Sequence, residues 1–259
     1  MRPPDRRRGR LQGLDAMRGL AMLWMTVFHA AFDLNQLGYI RQNFYADPFW
    51  TWQRTAIVSL FLLCAGAGQG IAVAQQQSWP RFGRRWAQVA LCALAVTAVS
   101  WWMYPHSFIY FGVLHGMALM LIVVRLTAHW GSYLWLAGAL AMVLHQLAPL
   151  VHNSWPALDM LNDRAWNWLG LINRKPITED YVPLLPWLGV MWWGAAMAPM
   201  FLRWSEKGER GAVPAARRDS QPARVLATLG LLGRWSLPYY MLHQPLLMGA
   251  MMAWGNLGA

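Results

Sequence analysis

Charge is scarce in this chain, and negative charge is scarcest. Only 13% of its 259 residues are charged, and Asp and Glu together number 11 against 22 Lys and Arg. A soluble domain carries about twice that charged fraction, roughly 25%, so the composition argues against one. Cysteine is nearly missing as well. Cys64 and Cys92 both sit inside apolar runs, which excludes a disulfide framework and leaves both as small hydrophobes. No His, Cys, Asp or Glu spacing suits a metal, so no metal is expected. There is no internal repeat of the kind many transporters carry. Nor is there the apolar–polar alternation of a membrane β-barrel.

What remains is apolar. Hydrophobic residues make up 57% of the chain, with 18 Trp and 16 Met, and several runs reach the length of about 18–20 residues that a helix needs to cross the hydrocarbon. The sequence therefore predicts an all-α, polytopic transmembrane helix bundle. About seven spans are read, over roughly 14–34, 54–74, 86–104, 108–125, 133–151, 183–202 and 236–255. Pro183 and Pro186 fall near the start of the sixth, where proline is tolerated. The stretch 224–235, "RVLATLGLLGRW", reads as a short amphipathic helix at the membrane surface. Residues 1–12 form a basic cytoplasmic tail and 13–259 a single transmembrane domain. The Arg-, Ala- and Gly-rich stretch 205–222 is of low complexity.

Charge orients these spans. The tail 1–10 holds five arginines. Arg81, Arg84, Arg85, Arg125 and six more basic residues from Arg203 to Arg224 lie on the same side. The opposite loops hold only Arg41, Arg54, Arg164, Arg174 and Lys175. The positive-inside rule places the N-terminus in the cytoplasm, and seven spans place the C-terminus outside. The formal net charge of +11 thus reads as topology and as attraction to anionic membrane lipid or an anionic cofactor. No nucleic acid partner is expected, because no soluble domain would present it. A cleaved signal peptide is not expected either, since the first apolar run lacks a small-residue cleavage site and contains His29.

The first span, "RGLAMLWMTVFHAAFD" (18–33), raises the chemical question. It carries Arg18, His29 and Asp33, and an ionised group at the bilayer centre costs about 2.5–3.5 kcal/mol on insertion scales. Arg18 lies near the cytoplasmic headgroups, where Asp15 at i−3 can hold it. His29 lies about 16 Å further along the helix. Asp33 follows His29 at i+4, on the same face and within reach of its ring. A carboxylate beside a histidine fixes its tautomer, which is what a general base requires.

These residues resemble a family. "LDAMRGLAMLWMTVFH" is similar to the first span of transmembrane acyltransferases, in which ten residues separate an arginine from a histidine. Arg18 and His29 keep that spacing. Arg81 and Arg84 in "PRFGRRW" resemble the arginine pair of type 3 acyltransferases. The wider pattern resembles bacterial members of the heparan-α-glucosaminide N-acetyltransferase catalytic domain family. "FLLCAGAGQG" (61–70), "FGVLHGMAL" (111–119), "TEDYVPLLPWLGV" (178–190) and "LPYYMLHQPLL" (237–247) carry it, in order, over most of the chain. There is one departure. The lysosomal members use a histidine in the loop after the first span, and the loop 35–51 has none here. His29 takes that role in this reading.

The resemblance implies a multi-pass acyltransferase of the bacterial inner membrane. It would move an acetyl or other short acyl group from cytoplasmic acetyl-CoA to a sugar or glycan acceptor outside. Arg18, Arg81, Arg84 and Arg85 would bind the donor phosphates, which match guanidinium forks. His29 would act as general base or acyl carrier, with Asp33 beside it. His115, His243, Glu179 and Asp180 are candidate acceptor-binding residues. His115 and His243 read equally well as histidines bonded to a neighbouring helix, Gly112 and Gly116 allow close helix approach, and Gln244 with Pro245 would loosen the last helix. His145 reads as structural. A homodimer is compatible with all of this. The rival reading is a non-enzymatic protein such as a small-solute transporter, which would not bind acetyl-CoA.

Overall fold

The computed structural model describes residues 11–210 and 221–257, without the side chains of 153, 205–210 and 254–257. The tail 1–10 and residues 211–220 of the low-complexity stretch lie outside the described residues. Nine α-helices make up most of the described residues: α1 (Gln12–Gln36), α2 (Pro48–Ala74), α3 (Trp79–Met103), α4 (Val113–Thr127), α5 (Tyr133–Ser154), α6 (Leu184–Ala196), α7 (Ala198–Arg210), α8 (Gln221–Arg234) and α9 (Ser236–Leu257). The described residues contain no strand beyond an isolated bridge between Phe111 and Tyr181.

Among the described residues, five segments are long and apolar enough to cross a membrane: Pro48–Ala74, Trp79–Met103, Val113–Trp130, Tyr133–His152 and Leu184–Trp204. The helices α1 and α9, of 25 and 22 residues, are long enough for the two further spans read from the sequence. They fall outside that set, and α1 carries Asp15, Arg18 and Asp33.

Local chemistry sets the boundaries. The helix α2 starts at Pro48, ahead of the expected residue 54. Proline loses no hydrogen bond in a first turn, and the Asp47 carboxylate accepts the Phe49 N–H at 2.8 Å. The fourth span starts late, at Val113, because 108–112 is held in a non-helical path. There the Ser100 hydroxyl accepts the Ile109 N–H, and the Thr97 hydroxyl donates to the Ile109 carbonyl. The sixth span is broken between α6 and α7 at Met197. Pro199, in the first turn of α7, supplies no N–H to continue a helix across the break. The helix α9 runs through Pro245 without ending.

The chain divides into two compact units, one of residues 1–61 and 199–259, the other of 62–198. In the first, Met22, Met25, Phe28, Phe44 and Ile57 are buried together, with Trp24, Phe32, Trp50, Leu232 and Tyr239 packed against them. Trp24 Nε1 donates to Gln53 Oε1 at 3.0 Å, joining α1 to α2. The expected amphipathic helix is present as α8, and it packs closely on α1. A Cβ on Gly233 would lie 1.8 Å from the Asp15 carbonyl oxygen, and one on Gly19 would lie 2.0 Å from that of Leu229. In the second unit, α2 meets α6 in the same manner: a Cβ on Gly66 would lie 2.0 Å from the Met191 carbonyl oxygen. Helices in lipid associate through such close backbone approach, because burial from water supplies no force between them.

Gly233→Ala should therefore push α8 off α1. A loss of about 1–3 kcal/mol is expected, the usual range for overpacking, read as a lower melting temperature in detergent. Gly13→Ala, on α1, meets nothing within 4 Å and serves as the control. It should leave the melting temperature unchanged or raise it slightly, since alanine is the better helix former.

Candidate active site

The reactive-looking residues of the first span face α9. Three polar contacts join the two helices. Tyr239 Oη and Thr26 Oγ1 lie 2.6 Å apart. The Thr26 hydroxyl donates to the Met22 carbonyl at 2.9 Å, so the tyrosine is the donor to Thr26. Next, His29 Nδ1 and His243 Nε2 lie 2.8 Å apart. Finally, Gln244 Nε2 donates to both oxygens of Asp33, at 2.9 and 3.1 Å. Residue numbers rise together along both helices, so α9 runs in the same direction as α1.

This arrangement corrects the expected His29–Asp33 pair. The i+4 spacing puts both on one face, but α9 supplies each with a different partner. The Asp33 carboxylate is buried, at 5% exposure, and its two oxygens are held by the Gln244 amide. His29 is half-buried. Its ring stacks on that of His243, with centroids 5.0 Å apart and planes at 22°, and Phe28 packs edge-on against it. His243 is 7% exposed. Its Nδ1 lies 2.7 Å from the Tyr240 carbonyl oxygen, and the Tyr239 ring lies parallel to it. His29 Nε2 has no hydrogen-bond partner among the described residues. The Gln244 Oε1 oxygen is buried without one.

Arg18 lies further toward the start of α1. Its Nη1 meets Asp15 Oδ1 at 3.2 Å, the i+3 contact the sequence suggested. Arg234 of α8 approaches the other carboxylate oxygen of Asp15 at 3.8 Å. Asp15 itself is buried, so two guanidinium groups share one shielded carboxylate.

The other candidates belong to the second unit. Arg81, Arg84 and Arg85 lie in the first two turns of α3, exposed. None of the three has an ion-pair partner among the described residues. The turn before them is fastened by Arg125. Its guanidinium lies over Trp79 and Phe82, 4.6 and 4.9 Å from the ring centroids, and donates to the Gln77 carbonyl. Three uncompensated cations on the first turns of a helix, where the backbone N–H groups add positive potential, fit a polyphosphate.

His115 and the acidic pair hold the fold. The Thr97 hydroxyl donates to the Ile109 carbonyl at 2.8 Å, so it accepts the His115 Nε2 proton at 2.9 Å. His115 Nδ1 then accepts the Gly112 N–H at 3.3 Å. Both ring nitrogens are thereby engaged. Asp180 Oδ2 accepts the Val113 N–H at 2.8 Å, capping α4 from a distant segment. Gly112 makes room for it, since a Cβ there would lie 2.3 Å from that oxygen. Gly116 likewise admits the Val182 carbonyl. These glycines receive an extended segment, not the helix expected from the sequence. Glu179 accepts a hydrogen bond from the Ser107 hydroxyl.

The loop between α5 and α6 is pinned by further polar contacts. His145 and His152 donate to the carbonyls of Gly170 and Leu171, each at 2.9 Å. Tyr181 Oη donates to the Asn167 carbonyl at 2.6 Å, and burial pushes that phenol well above the usual tyrosine range. On the surface, the hydrogen bond from Arg174 holds the Asp159 carboxyl below its ordinary value. Among the described residues no group of three or more His, Cys, Asp and Glu side chains could hold a metal ion.

Helices of this length and apolarity, with no strand among the described residues, define a multi-pass membrane protein. Residues 10–245 match the family described as heparan-alpha-glucosaminide N-acetyltransferase, catalytic, and the chain belongs to that family. Membership gives it a membrane acyltransferase domain. No curated protein and no solved structure matches it.

Asp180→Ala should cost about 0.5–2 kcal/mol, the range for a lost helix cap, read as a lower melting temperature. Asp180→Asn still presents an oxygen to the Val113 N–H and should keep most of that stability. A several-fold rise in acceptor KM for the folded Asn variant would return Asp180 to acceptor binding.

Proposed function

We propose that this protein transfers an acetyl or similarly short acyl group from cytoplasmic acyl-CoA to a hydroxyl or amine of an extracytoplasmic sugar, with His29 as general base. One observation carries this reading: in a family of acetyltransferase catalytic domains, His29 is fastened through one ring nitrogen and leaves the other without a partner among the described residues. A lone pair on a positioned imidazole is what proton removal needs. As the acceptor X–H attacks the thioester carbonyl, His29 Nε2 takes its proton. The carbon–sulfur bond then breaks, and the proton passes to the departing thiolate. The products are the acylated acceptor and free CoA. Attack by His29 itself, giving an acyl-histidine, is the covalent variant of the same step.

The donor assignment is independent of this. Arg81, Arg84 and Arg85 are the proposed seat of the CoA phosphates, on the strength of three exposed cations without ion-pair partners among the described residues. Arg18 is a weaker donor ligand, because Asp15 already engages it. His115 and Asp180 are left out of the acceptor site, since their polar atoms are used inside the fold; Glu179, exposed with one oxygen on the Ser107 hydroxyl, stays a proposed acceptor ligand.

Labelled acetyl transfer tests the chemistry. His29→Gln is expected to bind acetyl-CoA normally and to turn over about 10²–10⁴-fold more slowly, the contribution of a lost general base. Arg84→Ala should weaken donor binding by calorimetry, and added salt should weaken it further, because exposed charge pairs are screened. Full turnover by His29→Gln would end the base assignment. No binding of acetyl-CoA at millimolar concentration would favour the transporter.

The proposed topology has seven spans, with the N-terminus in the cytoplasm of a bacterial inner membrane. The asymmetry of lysine and arginine supports it. The common direction of α1 and α9 also fits, because the first and last of an odd number of spans cross in the same sense. Reporter fusions near residue 80 should read as cytoplasmic and those near 165 as external. A cytoplasmic reading at 165 would refute the arrangement.

A further inference from the structure

We infer that His243 is the positioning residue of the site: it selects the tautomer of His29 that offers Nε2 as a base. The inference rests on the general-base reading above. It follows from the order of donors and acceptors along one chain of contacts.

A backbone carbonyl can only accept. The Tyr240 carbonyl oxygen lies 2.7 Å from His243 Nδ1, so that nitrogen carries the proton. In a neutral ring the other nitrogen then holds a lone pair. His243 Nε2 is therefore an acceptor, and His29 Nδ1, 2.8 Å away, must be the donor. With its proton on Nδ1, neutral His29 has its lone pair on Nε2, the nitrogen without a partner among the described residues. Backbone carbonyls in the first turns of α9, that of Tyr240 foremost, thus dictate through two rings which nitrogen of His29 can take a proton. When His29 becomes an imidazolium, Nδ1–H still points at the His243 lone pair, so the charged form keeps its hydrogen bond.

Asp33 is the residue that carboxylate–histidine logic would choose for this duty. It is occupied by Gln244. The orienting group is a histidine on another helix, one residue before that glutamine.

Two measurements on the full-length protein in lipid nanodiscs test this. The first is the ring-nitrogen spectrum of ¹⁵N-histidine-labelled protein, with the His29 signals assigned by their loss in His29→Gln. The expected wild-type pattern has a protonated Nδ1 and a bare Nε2. In His243→Phe, which keeps a flat ring without an acceptor, His29 should change to the other tautomer or to a mixture. The second is kinetic. His243→Phe should lower kcat about 10²-fold, within the range of a lost proton-transfer group, with KM for donor and acceptor little changed. His243→Gln places an oxygen near the lost Nε2 and should recover about tenfold of that, since an amide accepts the same hydrogen bond. Asp33→Asn should lose less than His243→Phe.

An unchanged His29 tautomer in His243→Phe overturns the inference. So does a raised acceptor KM with intact kcat, which would make His243 a wall of the acceptor path. The tautomer is read without turnover. Full activity in His29→Gln would remove the general-base reading while the spectrum still decides whether His243 orders His29. If His243→Phe fails to fold, the glutamine variant carries both measurements: it should keep the His29 proton on Nδ1 and most of kcat, and a His29 in the other tautomer with kcat as low as that of His29→Gln would then overturn the inference.

Discussion

A polar group inside a bilayer can be satisfied only by another part of the protein. Three polar side chains on α1 meet three on α9: Thr26 with Tyr239, His29 with His243, and Asp33 with Gln244. Much of the first unit depends on this ladder. It fixes the rotation of α9 about its axis, because a turn of 100° would leave His243 and Gln244 without their partners. It fixes the direction of α9, because the rungs rise together. It also brings His243 beside His29. A mismatch at one rung would leave an orphaned donor or acceptor, which costs about 1–3 kcal/mol, so the three enforce one another's register.

Glycine supplies the complementary constraint. Where α8 crosses α1, and where α2 meets α6, backbone lies against backbone with no room for a Cβ. Such contacts set distance, whereas the polar rungs set rotation and direction. The second unit uses polar groups for a different end. His115 and Asp180 complete the N-terminal turn of α4, whose N–H groups would otherwise face no acceptor. The contrast between His115 and His29 is one of spare valence. His115 has both nitrogens engaged. His29 has one engaged and one left over. Chemistry is available only where a bonding position is unspent.

Much of the fold was legible because hydrophobic length is a strong signal. Each span read from the sequence coincides with one helix except the sixth, which is divided between α6 and α7, and "DPFW" at 47–50 even holds the cap-and-proline signature of the true start of α2. The late start of α4 was not legible. It depends on Thr97 and Ser100, which are distant in sequence and meet 109 only after folding. The site divided along the same line. Arg18, with Asp15 at i−3, and the arginines of α3 are local features, readable from spacing. The His29–His243 contact joins residues 214 positions apart, and no periodicity in either helix encodes it. Local spacing suggested Asp33 instead. It was right about the shared face and wrong about the partner, because spacing records which residues could meet and not which competitor from another helix meets them first.

Why a histidine, and not the nearby carboxylate, should hold His29 follows from charge. An ionised carboxylate is a stronger acceptor for an imidazole N–H than a second imidazole is. It also brings a full negative charge into a medium of low dielectric, where an uncompensated ion costs several kcal/mol. A neutral imidazole provides the lone pair without the charge. It has a second constraint available that a carboxylate lacks. A carboxylate accepts through either oxygen and has no proton of its own to be fixed, whereas the ring of His243 has a proton on one side and a lone pair on the other. Fixing the proton with the Tyr240 carbonyl fixes the lone pair at the opposite edge. Directional information therefore passes from a helix backbone to a side chain on another helix, without adding net charge. For a base that must remove a proton deep in a membrane protein, direction without charge is the more useful property.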